Sequence, residues 1–369
     1  MKFSNFFRNS NLFTPQTPGA SASSGGQAVS EQNRRAVYLN FNESPFGPLP
    51  PALEAARDSL PDCGRYGFAA IDQLHQALAQ ELAVPRDHLT LHPGSNRALH
   101  YAAATFTGPG KSLVMASPGY PICELAARRA GAEVHKVALG KNGAHDLERM
   151  CAIEDAGLIY LCNPNNPTGT ITPHKAILQA LAEKPRDAVL LVDEAYLQFC
   201  DERSMLPWVE QRPDLIVLRT FSKIYGLAGL RVGMAMAQPQ TLQRITTLPA
   251  DDVSITAAQA ALASLGQSAQ VAQRKLEIAR ARQETIDWLQ SRDIPCTASQ
   301  SSCFMMKVGD RAPQVIQVLA EHGVHIGRAW PEAPEWVRVT VGTRDEMDVF
   351  KSVMSQTVCA NFHGFFYPI

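Results

Sequence analysis

The sequence predicts an α/β fold, a mostly parallel central sheet with helices on both faces, joined to a smaller α+β domain. Short apolar runs at 113–116, 158–162, 189–192, 215–218 and 232–237 alternate with amphipathic stretches such as 121–131 and 173–183, the pattern of βαβ units. A stretch at 271–290 holds no Gly or Pro and carries apolar residues at helical spacing, which makes it a long helix. Strand candidates at 303–308 and 336–341 then flank a helical pattern at 312–322. These last elements form the smaller domain.

The 369 residues, 45% hydrophobic and 19% charged, are enough for two domains. Residues 1–35 are rich in Ser, Gly, Asn, Gln and Pro and read as a flexible tail, because they bury too little apolar surface to offset ordering entropy. The rest divides into an N-terminal arm at 36–60, a large domain at 61–265, a small domain at 266–356 and an aromatic tail at 357–369. Thirty-four Lys and Arg balance 35 Asp and Glu, so net charge makes no case for nucleic acid or an anionic membrane. No run approaches the roughly 18–20 apolar residues of a membrane span. Eight scattered cysteines form no CxxC and no cluster with His. They read as reduced thiols, with no metal site expected. With no signal-peptide core at the N-terminus, the expected location is the cytoplasm.

Function is written just beyond the apolar runs. Ser117-Pro118-Gly119-Tyr120, the segment 163–169, Asp193-Glu194-Ala195-Tyr196 and the segment 219–223 each follow one. Ligands of open α/β sheets bind outside the carboxyl ends of the strands, so four segments converge on one crevice. Thr220, Ser222, Lys223 and Arg231 suit a phosphate-bearing carbonyl cofactor, since hydroxyls and Arg hold a dianion while the Lys amine condenses with an aldehyde. A surface Lys beside a turn is the plainer reading of that stretch alone. Asp193 at a strand end either pairs with a pyridinium N–H or caps the following helix. Gly94-Ser95-Asn96, leading into a helix from Arg97, either presents N–H groups to an anion or is ordinary capping by Ser95. Asn163-Pro164-Asn165-Asn166-Pro167-Thr168-Gly169 is a stiff turn.

Taken together with the stretch 39–47 (LNFNESPFG), Arg65-Tyr66-Gly67 and the stretch 337–344 (VRVTVGTR), these motifs resemble the fold-type I pyridoxal-phosphate enzymes of the class I/II aminotransferase group. The nearest branch is the one similar to histidinol-phosphate aminotransferases. The resemblance covers about residues 36–355 and implies pyridoxal 5'-phosphate as cofactor. It implies that Lys223 forms the Schiff base and shuttles the α-proton. Asp193 then pairs with the pyridine nitrogen, Asn166 and Tyr196 bond the phenolic oxygen, and Tyr120 stacks on the ring. Ser95, Asn96, Thr220, Ser222 and Arg231 hold the phosphate, joined by Tyr66 from the neighbouring subunit of a homodimer. Arg338 grips the substrate α-carboxylate, a match for a planar fork. Arg328 resembles the distal-phosphate arginine, and Asn42 falls among the substrate-binding positions.

The implied reaction moves an amino group from an amino acid or amino-alcohol phosphate, foremost L-histidinol phosphate, to a 2-oxo acid such as 2-oxoglutarate. Three departures from the family pattern touch the side-chain pocket. The segment Leu12–Gln16 lacks the family's Tyr, Asp251 and Asp252 follow Pro249, and Cys303 stands where an Asn is usual. An aminotransferase for another aromatic or secondary-metabolism amino acid, and a decarboxylase resembling threonine-phosphate decarboxylases, share the cofactor motifs. A non-catalytic regulator is disfavoured by intact Lys223 and Arg338 and by a 1–35 segment too short for a DNA-binding module.

Overall fold

The computed structural model describes residues 36–247 and 252–359. The segments 1–35 and 360–369 and residue Asp251 therefore lie outside the described residues, as does the reading placed on each. Among the described residues twelve strands form: β1 (Val37–Leu39), β2 (Leu89–His92), β3 (Ser112–Ser117), β4 (Val134–Ala138), β5 (Ala156–Cys162), β6 (Val189–Asp193), β7 (Leu215–Thr220), β8 (Gly233–Met236), β9 (Cys303–Lys307), β10 (Val324–Ile326), β11 (Ala329–Trp330) and β12 (Ala333–Thr340). The five apolar runs read from the sequence become β3, β5, β6, β7 and β8.

Seven strands build the central sheet in the order β2-β8-β7-β6-β5-β3-β4. All run parallel except β8, which is antiparallel to both β7 and β2. β5 and β6 are buried at every position, which is why they read as unbroken apolar runs and not as alternating strands. Their side chains nevertheless sort with period two. Leu158, Tyr160 and Cys162 enter the core against the helix Ser95–Phe106. Ile159 and Leu161 enter the opposite core with Leu74, Leu78, Ile177 and Ala257. Each fully buried Leu or Ile contributes roughly 1.5–3 kcal/mol relative to exposure, so both faces hold helices.

The helix Ser95–Phe106 buries Ala98, Leu99, Ala102, Ala103 and Phe106, a helical stripe. The long helix is one turn longer than its sequence signal, Ser268–Gln290. A three-stranded antiparallel sheet, β11-β12-β9, collects the C-terminal strands, and β1 pairs with β10 in parallel, Val37 opposite Val324. Thus residues near the start of the described chain are tied to residues almost 300 positions later. Among the described residues no helix is long and apolar enough to cross a membrane, and Cys63, Cys123, Cys151, Cys162, Cys200, Cys296 and Cys303 carry free thiols.

Candidate active site

The winding of the sheet reverses between β3 and β5: β4 lies outside β3, while β6, β7 and β8 follow on the other side. The loops leaving these strands therefore bound a crevice at their C-terminal ends. They are the polar segments singled out in the sequence.

Asp193 ends β6, paired with Cys162 of β5, and is 3% exposed. Its Oδ1 accepts the Ala195 N–H at 3.1 Å, and its Oδ2 accepts the Tyr160 hydroxyl at 3.3 Å. One oxygen thus braces the turn, while the cap of the following helical turn Leu197–Phe199 is Tyr196 and not Asp193. Burial raises its pKa to about 6, against the pull of Ala195, Tyr160 and Lys223. The next residue, Glu194, points the other way into an ion pair with Arg219 at 3.0 Å, also accepting Ser204 Oγ and the Met205 N–H. That anchor fixes the turn carrying Asp193 and Tyr196.

Lys223 Nζ donates to the Phe41 carbonyl at 3.4 Å and sits 5.5 Å from the Tyr196 ring centre. Desolvation, then the Arg338 charge, lower its pKa to about 8. No carboxylate pairs with it among the described residues. Tyr196 is buried, and burial, reinforced by Cys303 and Cys162, raises its phenol well above the usual value. It remains a proton donor. Tyr120 is half-buried and donates to Asn96 Oδ1 at 3.2 Å.

A cup lies at the N-terminus of the helix Ser95–Phe106. Gly94, not Ser95, is the cap residue, so Ser95 is the first helical residue and its N–H faces the cup. Gly94 has φ +78°, and a Cβ there would fall 2.1 Å from Arg231 Nη2. A Cβ on Gly233 would sit 2.3 Å from Ser95 N. Thr220 donates to the Val232 carbonyl at 3.1 Å and lies 2.9 Å from Ser222 Oγ, which Arg231 Nη1 approaches at 3.3 Å. Arg231 pairs with no carboxylate among the described residues. A helix N-terminus, two hydroxyls and a guanidinium without a counter-ion fit a phosphate dianion.

Arg338 on β12 donates from Nη1 to Asn166 Oδ1 at 2.9 Å and from Nη2 to the Asn40 carbonyl, while its buried Nε has no partner. Arg328 stacks 4.9 Å over Trp330, and desolvation followed by the Arg338 charge lowers its pKa. Glu332 acts on Arg328 only through its field, and Lys136 holds the Glu332 carboxylate at 2.7 Å, so two neighbouring guanidiniums without a close ion pair suit a substrate with two anionic groups. The hairpin of β11 and β12 brings them together, and Gly327 N donates to the Arg338 carbonyl at 2.8 Å.

Asn42 is 1% exposed and spends its side chain on Tyr196, Cys303 and Thr340. It lies in the site as a buried brace, with no polar atom left for a substrate. Tyr66 is 89% exposed and stacks on Phe68, with ring centres 5.7 Å apart.

Sequence reasoning missed Tyr160, because within an apolar run it reads as core. Only its parity, on the same face as Asp193, signals more. It also missed the carbonyls of Asn40 and Phe41, which carry no side-chain signal. Buried Arg274, whose guanidinium holds the Ile224 and Pro48 carbonyls at 2.9 and 3.2 Å, likewise escaped notice. It pins the residue after Lys223 to the N-terminal segment.

The family described as aminotransferase class I and II matches residues 34–352. Histidinol-phosphate aminotransferase 1 of Cupriavidus pinatubonensis is 35% identical over 333 residues, covering 87% of this chain and 88% of its own. An aromatic amino acid aminotransferase of Cutibacterium acnes is 33% identical over 331 residues, covering 88% and 93%. The crystal structure of histidinol-phosphate aminotransferase from Sinorhizobium meliloti in complex with pyridoxal-5'-phosphate superposes with a TM-score of 0.83 at 26% identity, covering 89% of this chain and 92% of that one.

Proposed function

The chain belongs to the aminotransferase class I and II family, and from that premise we propose that it transfers an amino group from a phosphorylated amino donor, foremost L-histidinol phosphate, to 2-oxoglutarate. It is a pyridoxal-phosphate enzyme, and the crevice fits that group. The carboxylate-free cup takes the phosphate, and buried Asp193 lacks the cation that a protonated ring nitrogen would supply. Bound there, the cofactor supplies an aldehyde for the donor amine and an electron-withdrawing ring.

The chain's own groups do the rest. Lys223, with a pKa near 8, is neutral in a sizeable fraction at slightly alkaline pH and takes and returns the α-proton. Asp193 keeps the ring nitrogen protonated. Tyr196 and Asn166 face the phenolic oxygen, and Tyr120 covers the ring. Ser95, Asn96, Thr220, Ser222 and Arg231 hold the phosphate. Arg338 receives the α-carboxylate and Arg328 the distal anion.

The observation that carries the donor assignment is the nearness of Arg328 to Arg338, neither of which forms a close ion pair among the described residues, with Glu332 acting on Arg328 only through its field. A 2-oxo diacid satisfies the same pair in the return half-reaction. The curated relatives include both histidinol-phosphate and aromatic amino acid aminotransferases, so the donor is the point to test. Anaerobic titration of the holoenzyme with histidinol phosphate should convert the cofactor spectrum to the amine form, and 2-oxoglutarate should restore it. A holoenzyme unmoved by histidinol phosphate but converted by phenylalanine or tyrosine would reject this donor.

The assembly we infer is a homodimer. Leu60, Tyr66 and Phe68 are 59%, 89% and 72% exposed and close in sequence, an apolar cluster that fits an interface. Tyr66 then reaches the partner's phosphate cup.

A further inference from the structure

Three consecutive residues of the N-terminal segment each grasp a different residue of the crevice. The Asn40 carbonyl accepts Arg338, the Phe41 carbonyl accepts Lys223, and the Asn42 side chain binds Tyr196. Asn42 adopts φ +53°, in the left-handed region that Asn tolerates better than most residues.

Its bonds fix which way the amide faces. The Asn42 N–H donates to Thr340 Oγ1 at 2.9 Å, and the Thr340 hydroxyl donates back to Asn42 Oδ1 at 3.0 Å. This orientation uses every proton of the pair. It leaves Nδ2 to donate to Tyr196 Oη at 3.1 Å and to Cys303 Sγ at 3.3 Å. A phenol has one proton. Because Tyr196 accepts from Asn42, its own proton is directed elsewhere, into the crevice.

We propose that Asn42 is a positioning residue that aims the Tyr196 hydroxyl proton at the cofactor's phenolic oxygen while tying the Arg338 strand to the same point through Thr340. This rests on the reading that Tyr196 faces that oxygen. The same amide meets the family departure at Cys303. An Asn there would compete for Tyr196 or Asn42, whereas a buried thiol, kept protonated by desolvation, accepts the second Nδ2 proton weakly and leaves the Tyr196 bond dominant.

The test is a double-mutant cycle read on the pH midpoint of the bound cofactor's visible spectrum. Asn42→Asp keeps the left-handed backbone but turns a donor into an acceptor, which captures the Tyr196 proton. The midpoint should rise by roughly one to two pH units, as expected for loss of a hydrogen bond to a charged group. Tyr196→Phe should raise it similarly, and the double variant should rise no further than Tyr196→Phe alone. Asn42→Gly, which keeps the backbone and adds no charge, should show a smaller rise that also vanishes in the Tyr196→Phe background. It carries the test should the Asp variant not fold.

A rise from Asn42→Asp that persists without the Tyr196 hydroxyl would be a field effect and would overturn the proposal. So would an unmoved midpoint in both Asn42 variants while Tyr196→Phe moves it; in that case the placement of Tyr196 survives. A silent Tyr196→Phe would remove both that placement and the role of Asn42.

Discussion

At the scale of single residues, Asp193, Lys223, Arg231 and Arg338 keep hydrogen bonds but enter no close ion pair among the described residues. Asp193 has a pKa of about 6 against an ordinary 3.8, so the folded chain binds that proton more tightly than the unfolded chain does. The sign follows: a raised folded pKa stabilises below about pH 4, and the advantage is lost as pH rises through about 6. Two units correspond to roughly 3 kcal/mol as an upper bound. Cofactor-stripped protein should therefore lose stability between pH 4 and 6. Asp193→Asn should gain roughly 1–3 kcal/mol at pH 8 in urea melts while losing nearly all transamination. An unchanged urea midpoint in that variant would show that the buried carboxylate costs nothing. Tyr160→Phe removes one donor to the same carboxylate, so the acid limb of kcat/KM should shift to higher pH, by up to about one unit. A pH–rate profile decides it; a lower kcat with an unmoved limb would make Tyr160 merely core.

At the scale of elements, the phosphate cup depends on three backbone segments meeting closely. The β8 strand touches the first turn of the helix Ser95–Phe106 at Gly233, and the loop from β2 passes Arg231 at Gly94. Gly94→Ala would place a methyl against the Arg231 guanidinium and force a left-handed backbone on Ala. We expect cofactor affinity to fall at least tenfold, measured by equilibrium dialysis of the folded variant, with little change in secondary structure by circular dichroism. Unchanged affinity would mean that the cup binds nothing. The 193–196 turn has its own support in the Glu194–Arg219 pair. Breaking a buried pair by removing one partner strands the other charge, so Arg219→Met should cost a few kcal/mol of stability and displace Asp193 together with Tyr196.

At the scale of the whole molecule, assembly and activity should fail together. Leu60→Asp with Phe68→Asp would charge the exposed apolar cluster, and sedimentation should then report a monomer with weakened cofactor binding. A dimer unaffected by both changes would place the interface elsewhere. Much of the sheet was legible in the sequence, because the middles of β3, β5, β6 and β7 are buried on both faces and are apolar runs. The short strands β1, β10 and β11 were not, since two or three residues carry no period of their own and become strands only through their partners. Likewise β4, which mixes Val with His and Lys at exposed and half-buried positions, hides its strand character at the sheet edge. By itself the sequence determined the family and the residue types: Lys223, Asp193, Tyr196, Arg231 and Arg338 are side-chain identities, and the order of the segments along alternating strands places most of them beyond the carboxyl ends of one sheet. Only the tertiary structure decided how those groups are aimed. The Asn40 and Phe41 carbonyls, the Tyr160 hydroxyl and the Asn42 amide act through contacts up to 298 positions apart. Such contacts depend on backbone direction and packing parity, which no local pattern of residue types encodes.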